Sequence, residues 1–164
     1  MTLPQIVVLL VAAQRLAELI IVRRNTSRLL AAGGYEVGAA HYPLFILLHV
    51  AWLAALLLLV PANAPVYWPL LGLFALLQIG RVWVITSLAG RWTTRIIVCP
   101  DQPLSRRGPY RYLRHPNYII VAGEIAVLPL AFGAWQIALA FSALNLALLA
   151  WRIRVENRAL GPLR

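Results

Sequence analysis

Apolar runs long enough to cross a bilayer dominate this chain, and they fix its class before any motif is read. Five segments, at about 3–22, 43–62, 66–88, 117–132 and 134–151, carry few charges and are bounded by arginines, prolines or glycines. Lipid offers no partner to a backbone N–H or C=O, so such segments must be helices that satisfy their own hydrogen bonds. With 62% hydrophobic residues and only 12% charged ones, too little polar surface is left to cover a water-soluble globule. The expectation is one all-α integral membrane domain over 1–164, with about five transmembrane helices. The last two segments are short and predict a tilted or partly re-entrant hairpin. The first segment starts at Thr2-Leu3-Pro4 with no basic region before it and no small-residue cleavage site after it, which reads as a retained span and not as a signal peptide.

The net charge of +10 does not indicate nucleic acid, because the cations lie between apolar runs and not on a solvated face. Arg23, Arg24 and Arg28 follow the first segment, Arg91, Arg95, Arg106, Arg107, Arg111 and Arg114 follow the third, and Arg152, Arg154, Arg158 and Arg164 end the chain. The connections at 61–65 and 130–133 have no basic residue. The positive-inside rule then places both long loops and the C-terminus in the cytoplasm and the N-terminus outside. All fifteen basic residues are arginine, a usage that leans towards a GC-rich bacterium and a bacterial cytoplasmic membrane. Tyr67, Trp68, Trp135, Trp83, Trp92, Tyr110 and Tyr112 fall near segment ends, where aromatic belts sit. Residues 25–40, broken at Gly33-Gly34, are expected to lie along the headgroups as a short amphipathic piece. The single Cys99 excludes an intramolecular disulfide and a Cys-rich metal site.

Chemistry concentrates in one strip, Arg106-Arg107-Gly108-Pro109-Tyr110-Arg111-Tyr112-Leu113-Arg114-His115-Pro116-Asn117-Tyr118. Guanidinium groups, a histidine, stacking aromatics and prolines that limit backbone freedom could clamp an anionic, aromatic cofactor. The competing reading is a juxtamembrane basic stretch that sets orientation and touches anionic lipid. Pro116 suits a first helical turn and would hold His115 at the water boundary. Glu124, about two turns into the fourth segment, needs a partner or a polar cavity at that depth; it is either a site residue or the ion-pair partner of Arg81 or Arg15. Gln14, Arg15, Glu18, Gln78 and Arg81 make the cytoplasmic half of the bundle polar inside. Arg152 and Glu156 share a helix face and, without more, would be an ordinary i,i+4 pair. His41 opens the second segment and could touch a headgroup or substrate, whereas His49 suits an interhelical hydrogen bond. No third ligand completes a metal site with these histidines.

The stretch from Gly90-Arg91-Trp92 through Pro103-Leu104, Gly108-Pro109-Tyr110-Arg111 and Arg114-His115-Pro116-Asn117-Tyr118 to Arg152-Ile153, Glu156 and Leu160 resembles the isoprenylcysteine carboxyl methyltransferase family. The resemblance covers about the last 75 residues and leaves the first two spans without a family signal. It implies a membrane enzyme that uses S-adenosylmethionine, with a cofactor pocket made by the loop 89–118 and the hairpin and tail 117–164, and with a lipophilic acceptor entering from the bilayer. By that analogy His115, Pro116 and Tyr118 contact the cofactor and Arg152 and Glu156 hold its charged and hydroxyl groups; Tyr110 and Arg114 on the strip and Glu124 at its depth join them as cofactor-binding candidates, with Arg152, Glu156 and His115 at the catalytic centre. His41, Arg81 and Arg111 are left for the substrate. The family's Glu-Glu pair is Glu156-Asn157 here, and the aromatic extension of its tail is missing after Arg164; both bear on the acceptor, which could be a prenylcysteine carboxylate, an alkylpyrone-like enol or a lipid. The alternatives are methylation of a phospholipid amine, which an arginine-lined mouth disfavours, and a non-enzymatic membrane adaptor or small transporter.

Overall fold

A computed structural model describes residues 1–100, 102–103 and 105–161; Leu104 and Arg164, which entered the sequence reading, lie outside them. The elements run α1 (Leu3–Ala31), β1 (Tyr35–Val37), α2 (Tyr42–Leu59), α3 (Trp68–Leu88), β2 (Ile96–Val98), α4 (Pro116–Ala131) and α5 (Trp135–Leu160). Short 3-10 turns at Ala39–His41, Ala89–Arg91 and Gly108–Arg111 connect them. Four helices are long and apolar enough to cross a membrane: α1, α2, α3 and α5. With 16 residues, α4 rises only about 24 Å, short of the roughly 30 Å of a hydrocarbon core.

The two ends of the bundle differ in kind. At one end the arginine-poor turns meet: Tyr67 N–H donates to Ala131 C=O at 2.9 Å, and Gly133 packs on Pro65. Gly133 has φ +71, where an L side chain is strained, and a Cβ there would lie 3.1 Å from Pro65 Cγ. With Pro129 inside the last turn of α4, this tight turn folds α4 back along α5. At the other end the arginine-bearing ends of α1 and α5 converge on the antiparallel β1–β2 ribbon, which pairs Tyr35 with Val98 and Val37 with Ile96. The main core joins α1, α2, α3 and α4 through Val8, Val11, Trp52, Leu56, Phe74, Ile125 and Phe132, and Ile137, Phe141 and Leu148 of α5 pack against it. A second, smaller core of Val22, Val84 and Trp92, with Tyr110 against it, secures the arginine-rich end.

Two expectations are corrected. Residues 25–31 are not a separate amphipathic piece: α1 continues through them to Ala31. Val22, Asn25 and Leu29 form a buried stripe at helical spacing, and Asn25 Nδ2 donates to Trp92 C=O (2.8 Å) and Ala89 C=O (3.3 Å). The hairpin is not made of two short helices either, since α5 runs unbroken for 26 residues. It therefore overhangs the start of α4 by about 15 Å of helix, and Arg152, Glu156 and Asn157 ride on that overhang.

Candidate functional site

The start of α4 is set by local chemistry. Pro116 occupies the first helical turn, where its missing N–H leaves no bond unmade and its fixed φ suits the helix. The preceding His115 is thereby held at the helix mouth, and its ring stacks on Tyr118 at 5.2 Å between centroids with planes 13° apart. Across from them the α5 overhang supplies the rest. The Tyr118 hydroxyl donates to Glu156 Oε2 and accepts from Arg152 Nε at 2.7 Å. His115 Nδ1 lies 3.7 Å from Glu156 Oε2, and His115 Nε2 lies 3.3 Å from Asn157 Oδ1. Arg152 and Glu156 do not form the simple i,i+4 pair with each other; they meet through the Tyr118 hydroxyl.

Arg152 is buried and fixed from a third direction. Its Nη2 donates to Thr94 C=O at 2.7 Å, and its guanidinium lies 5.2 Å from the Phe45 ring centroid and 5.6 Å from that of Tyr118. Thr94 belongs to the segment entering β2, and its own hydroxyl donates to Tyr42 Oη at 3.1 Å. Arg95 Nη1 pairs with Glu36 at 2.7 Å across the ribbon; this bond, ahead of the other influences, holds the Arg95 pKa above its ordinary value. Thus the ribbon joining the two halves of the chain is what presents a carbonyl to Arg152. His41, expected to meet substrate, is buried against Trp151 (5.5 Å) and Phe45 (6.2 Å). It forms the apolar floor behind Arg152.

Tyr110 lies on the near side of the same group, half-buried; burial, followed by the Glu156 carboxylate, pushes its phenol above its ordinary value. Arg111 and Arg114 are exposed on the loop rim, with Arg111 over the Tyr112 ring at 5.9 Å. Pro116 is buried, and Asn117 Oδ1 is a buried acceptor with no partner among the described residues.

Two expected site residues stand elsewhere. Glu124, expected beside the cofactor, sits about 9 Å further along α4 with its carboxylate fully engaged: Arg15 Nη2 at 2.9 Å, Arg81 Nη1 at 3.1 Å and Gln78 Nε2 at 2.8 Å. Arg81, expected at the substrate, forks onto Glu18 through Nε (2.7 Å) and Nη2 (2.6 Å), a geometry that planar guanidinium favours. Arg15 also reaches Glu18 (2.9 Å), so two arginines and two glutamates close a neutral ring that binds α1 to α3 and α4. A charge at this depth is stable only when so matched. His49, expected to bond between helices, contacts its own-helix Phe45 carbonyl at 2.8 Å.

Sequence reasoning did not find Thr94, Phe45 or Trp151 as site neighbours. Their contributions are a main-chain carbonyl and two ring faces, which no residue pattern announces. Asn157 was visible only as a departure from a pair of glutamates.

The isoprenylcysteine carboxyl methyltransferase (ICMT) family model matches residues 70–162. Among curated proteins, the uncharacterised protein YpbQ of Bacillus subtilis (strain 168) is 35% identical over 161 residues, covering 94% of this chain and 95% of the relative. An uncharacterised protein of Haemophilus influenzae is 29% identical over 164 residues, covering 93% and 92%. No solved structure matches. The match spans α3, the arginine-rich loop, α4 and the α5 overhang, which together hold every residue of the His115–Tyr118–Arg152–Glu156 group; the chain belongs to the isoprenylcysteine carboxyl methyltransferase family.

Proposed function

We propose that the protein is an S-adenosylmethionine-dependent O-methyltransferase that takes a lipophilic carboxylate or acidic enol from the bilayer and works at the cytoplasmic face. The observation that carries this reading is the closure of His115, Tyr118, Arg152 and Glu156, distant in sequence, into one hydrogen-bonded group at the arginine-rich end. It is joined by membership in a methyltransferase family.

The residues present suit the donor. Glu156 is a partly exposed carboxylate able to accept from hydroxyl or ammonium groups, the His115–Tyr118 stack is a flat aromatic platform, and Asn117 Oδ1 is a buried acceptor awaiting a donor. Arg152 and the rim residues Arg111 and Arg114 offer guanidinium groups to anionic partners. When bound, S-adenosylmethionine supplies an electrophilic methyl group on a positively charged sulfur.

The remaining work falls to position and desolvation. Arg152, held by a carbonyl, a hydroxyl and two rings, has one orientation in which to receive an acceptor oxygen, and such fixing can supply much of a transfer rate. A carboxylate, with an ordinary pKa of about 3.5, is already an anion at neutral pH and needs no base. His115 would be required as a base only for an acceptor such as a phenol. Glu124 and Arg81 act here through the ring that seats α4.

Titration calorimetry of the detergent-purified protein with S-adenosylhomocysteine tests the donor site. Binding near micromolar, abolished by Glu156→Gln and by His115→Ala, is expected. Absence of heat with the native protein overturns the reading and leaves an adaptor role. Transfer of a labelled methyl group into a bacterial lipid extract, with the label released as methanol by mild base, identifies an ester product; a base-stable label favours an ether or amine.

A further inference from the structure

On the flank of the bundle formed by α1 and α3, an open groove of about 510 Å³ runs between Ile20, Ile21, Arg24 and Arg28 on one side and Ile85, Thr86 and Gly90 on the other. Its two parts differ in chemistry. Ile20 and Ile21 are exposed apolar side chains nearer the membrane interior, and Arg24 and Arg28 follow one and two turns later on the same α1 face. Neither guanidinium has a hydrogen bond or ion pair among the described residues. The described carboxylates are all committed elsewhere, Glu18 and Glu124 to Arg81, Glu36 to Arg95 and Glu156 to Tyr118.

Arg28 spans the groove. A Cβ at Gly90 would lie 2.9 Å from Arg28 Nη1, so the guanidinium reaches across the groove to the backbone after α3. The groove floor is rigid, because Asn25 ties α1 to the Ala89 and Trp92 carbonyls directly beneath. A pair of unpartnered guanidinium groups above an isoleucine wall, at the end of two spanning helices, matches an anionic headgroup on an acyl chain. A soluble anion would gain nothing from the wall, and a zwitterionic lipid would set its own cation against Arg24 and Arg28.

We infer that the α1–α3 groove binds one anionic phospholipid, with Arg24 and Arg28 on its phosphate and Ile20, Ile21 and Ile85 along its chain. The site lies outside the His115–Glu156 group, and the inference does not depend on the methyl-transfer reading.

Thermal unfolding in nanodiscs tests it, comparing phosphatidylcholine alone with an equimolar mixture of phosphatidylcholine and phosphatidylglycerol. The native protein is expected to gain about 5–10 °C in the mixture, a shift typical of a site near saturation. Arg24→Gln/Arg28→Gln should lose most of that gain, and Arg154→Gln/Arg158→Gln, which removes equal charge from α5, should keep it. Equal losses in both pairs would reduce the effect to diffuse surface charge and overturn the site. So would the same gain from inorganic phosphate added to phosphatidylcholine nanodiscs, since the wall would then be idle. If the first pair does not fold, the single variants Arg24→Gln and Arg28→Gln replace it, and each must shrink the gain if the groove is the site.

Discussion

Replacing Glu124 by leucine is the sharpest perturbation of the architecture that seats the site. Glu124 is 2% exposed and its carboxylate receives Arg15, Arg81 and Gln78. Removing it leaves two guanidinium groups sharing Glu18 and one net positive charge inside an apolar bundle. Breaking one partner of a buried ion pair costs about 3–5 kcal/mol, which for a chain of this size is a fall in Tm of about 6–20 °C. The introduced leucine is apolar and similar in size to the side chain it replaces, so the loss is electrostatic. The double variant Arg15→Met/Glu124→Leu removes one charge of each sign and leaves the Arg81–Glu18 fork intact. It should therefore recover at least half of the single variant's loss. Tryptophan fluorescence during heating in detergent reports both, because Trp52 and Trp92 are buried at 1% exposure in the two cores. A single variant within about 1 kcal/mol of native, or a double variant less stable than Glu124→Leu, would refute the charge-balance reasoning.

Other outcomes follow from the site and its supports. Tyr118→Phe removes the hydroxyl shared by Glu156 and Arg152 while keeping the ring against His115; S-adenosylhomocysteine affinity should fall by about ten- to a hundredfold, the worth of one or two charge-assisted hydrogen bonds, with Tm little changed. Tyr110 has its phenol pKa raised above 10.0 by burial and then by Glu156. The neutral form is favoured in the fold, so its stabilising contribution is complete below pH 10 and declines as pH rises above it. Unfolding midpoints of native and Tyr110→Phe protein should accordingly run parallel up to about pH 10 and diverge above it, with the native falling faster. Ala89 has φ +47, a conformation that strains any side chain, so Ala89→Gly should stabilise by up to about 1–2 kcal/mol in chemical unfolding; a destabilised variant would show that the turn is not under strain.

The resemblance to a methyltransferase family was legible because its signal is local. Pro116 fixes the backbone beside His115, and Arg152 and Glu156 recur on one helix face, so both motifs keep their meaning before the chain folds. The ion ring was half legible. Burial cost demanded that Glu124 have a partner and named Arg15 and Arg81 as choices, but sequence could not say that both would serve at once.

From the amino-acid order alone came the membrane class, the helical state and the separation of arginine-rich from arginine-free ends, since hydropathy and backbone hydrogen bonding act on each segment without reference to the others. Folding alone decided that α1 extends to Ala31, that a two-stranded ribbon spans the halves of the chain, that Glu124 belongs to a clamp, and that the Tyr118 hydroxyl meets Arg152 and Glu156 together. Those outcomes rest on contacts between residues dozens of positions apart, where helix offset and the geometry of one hydroxyl or carbonyl determine which of several equally plausible partners is reached.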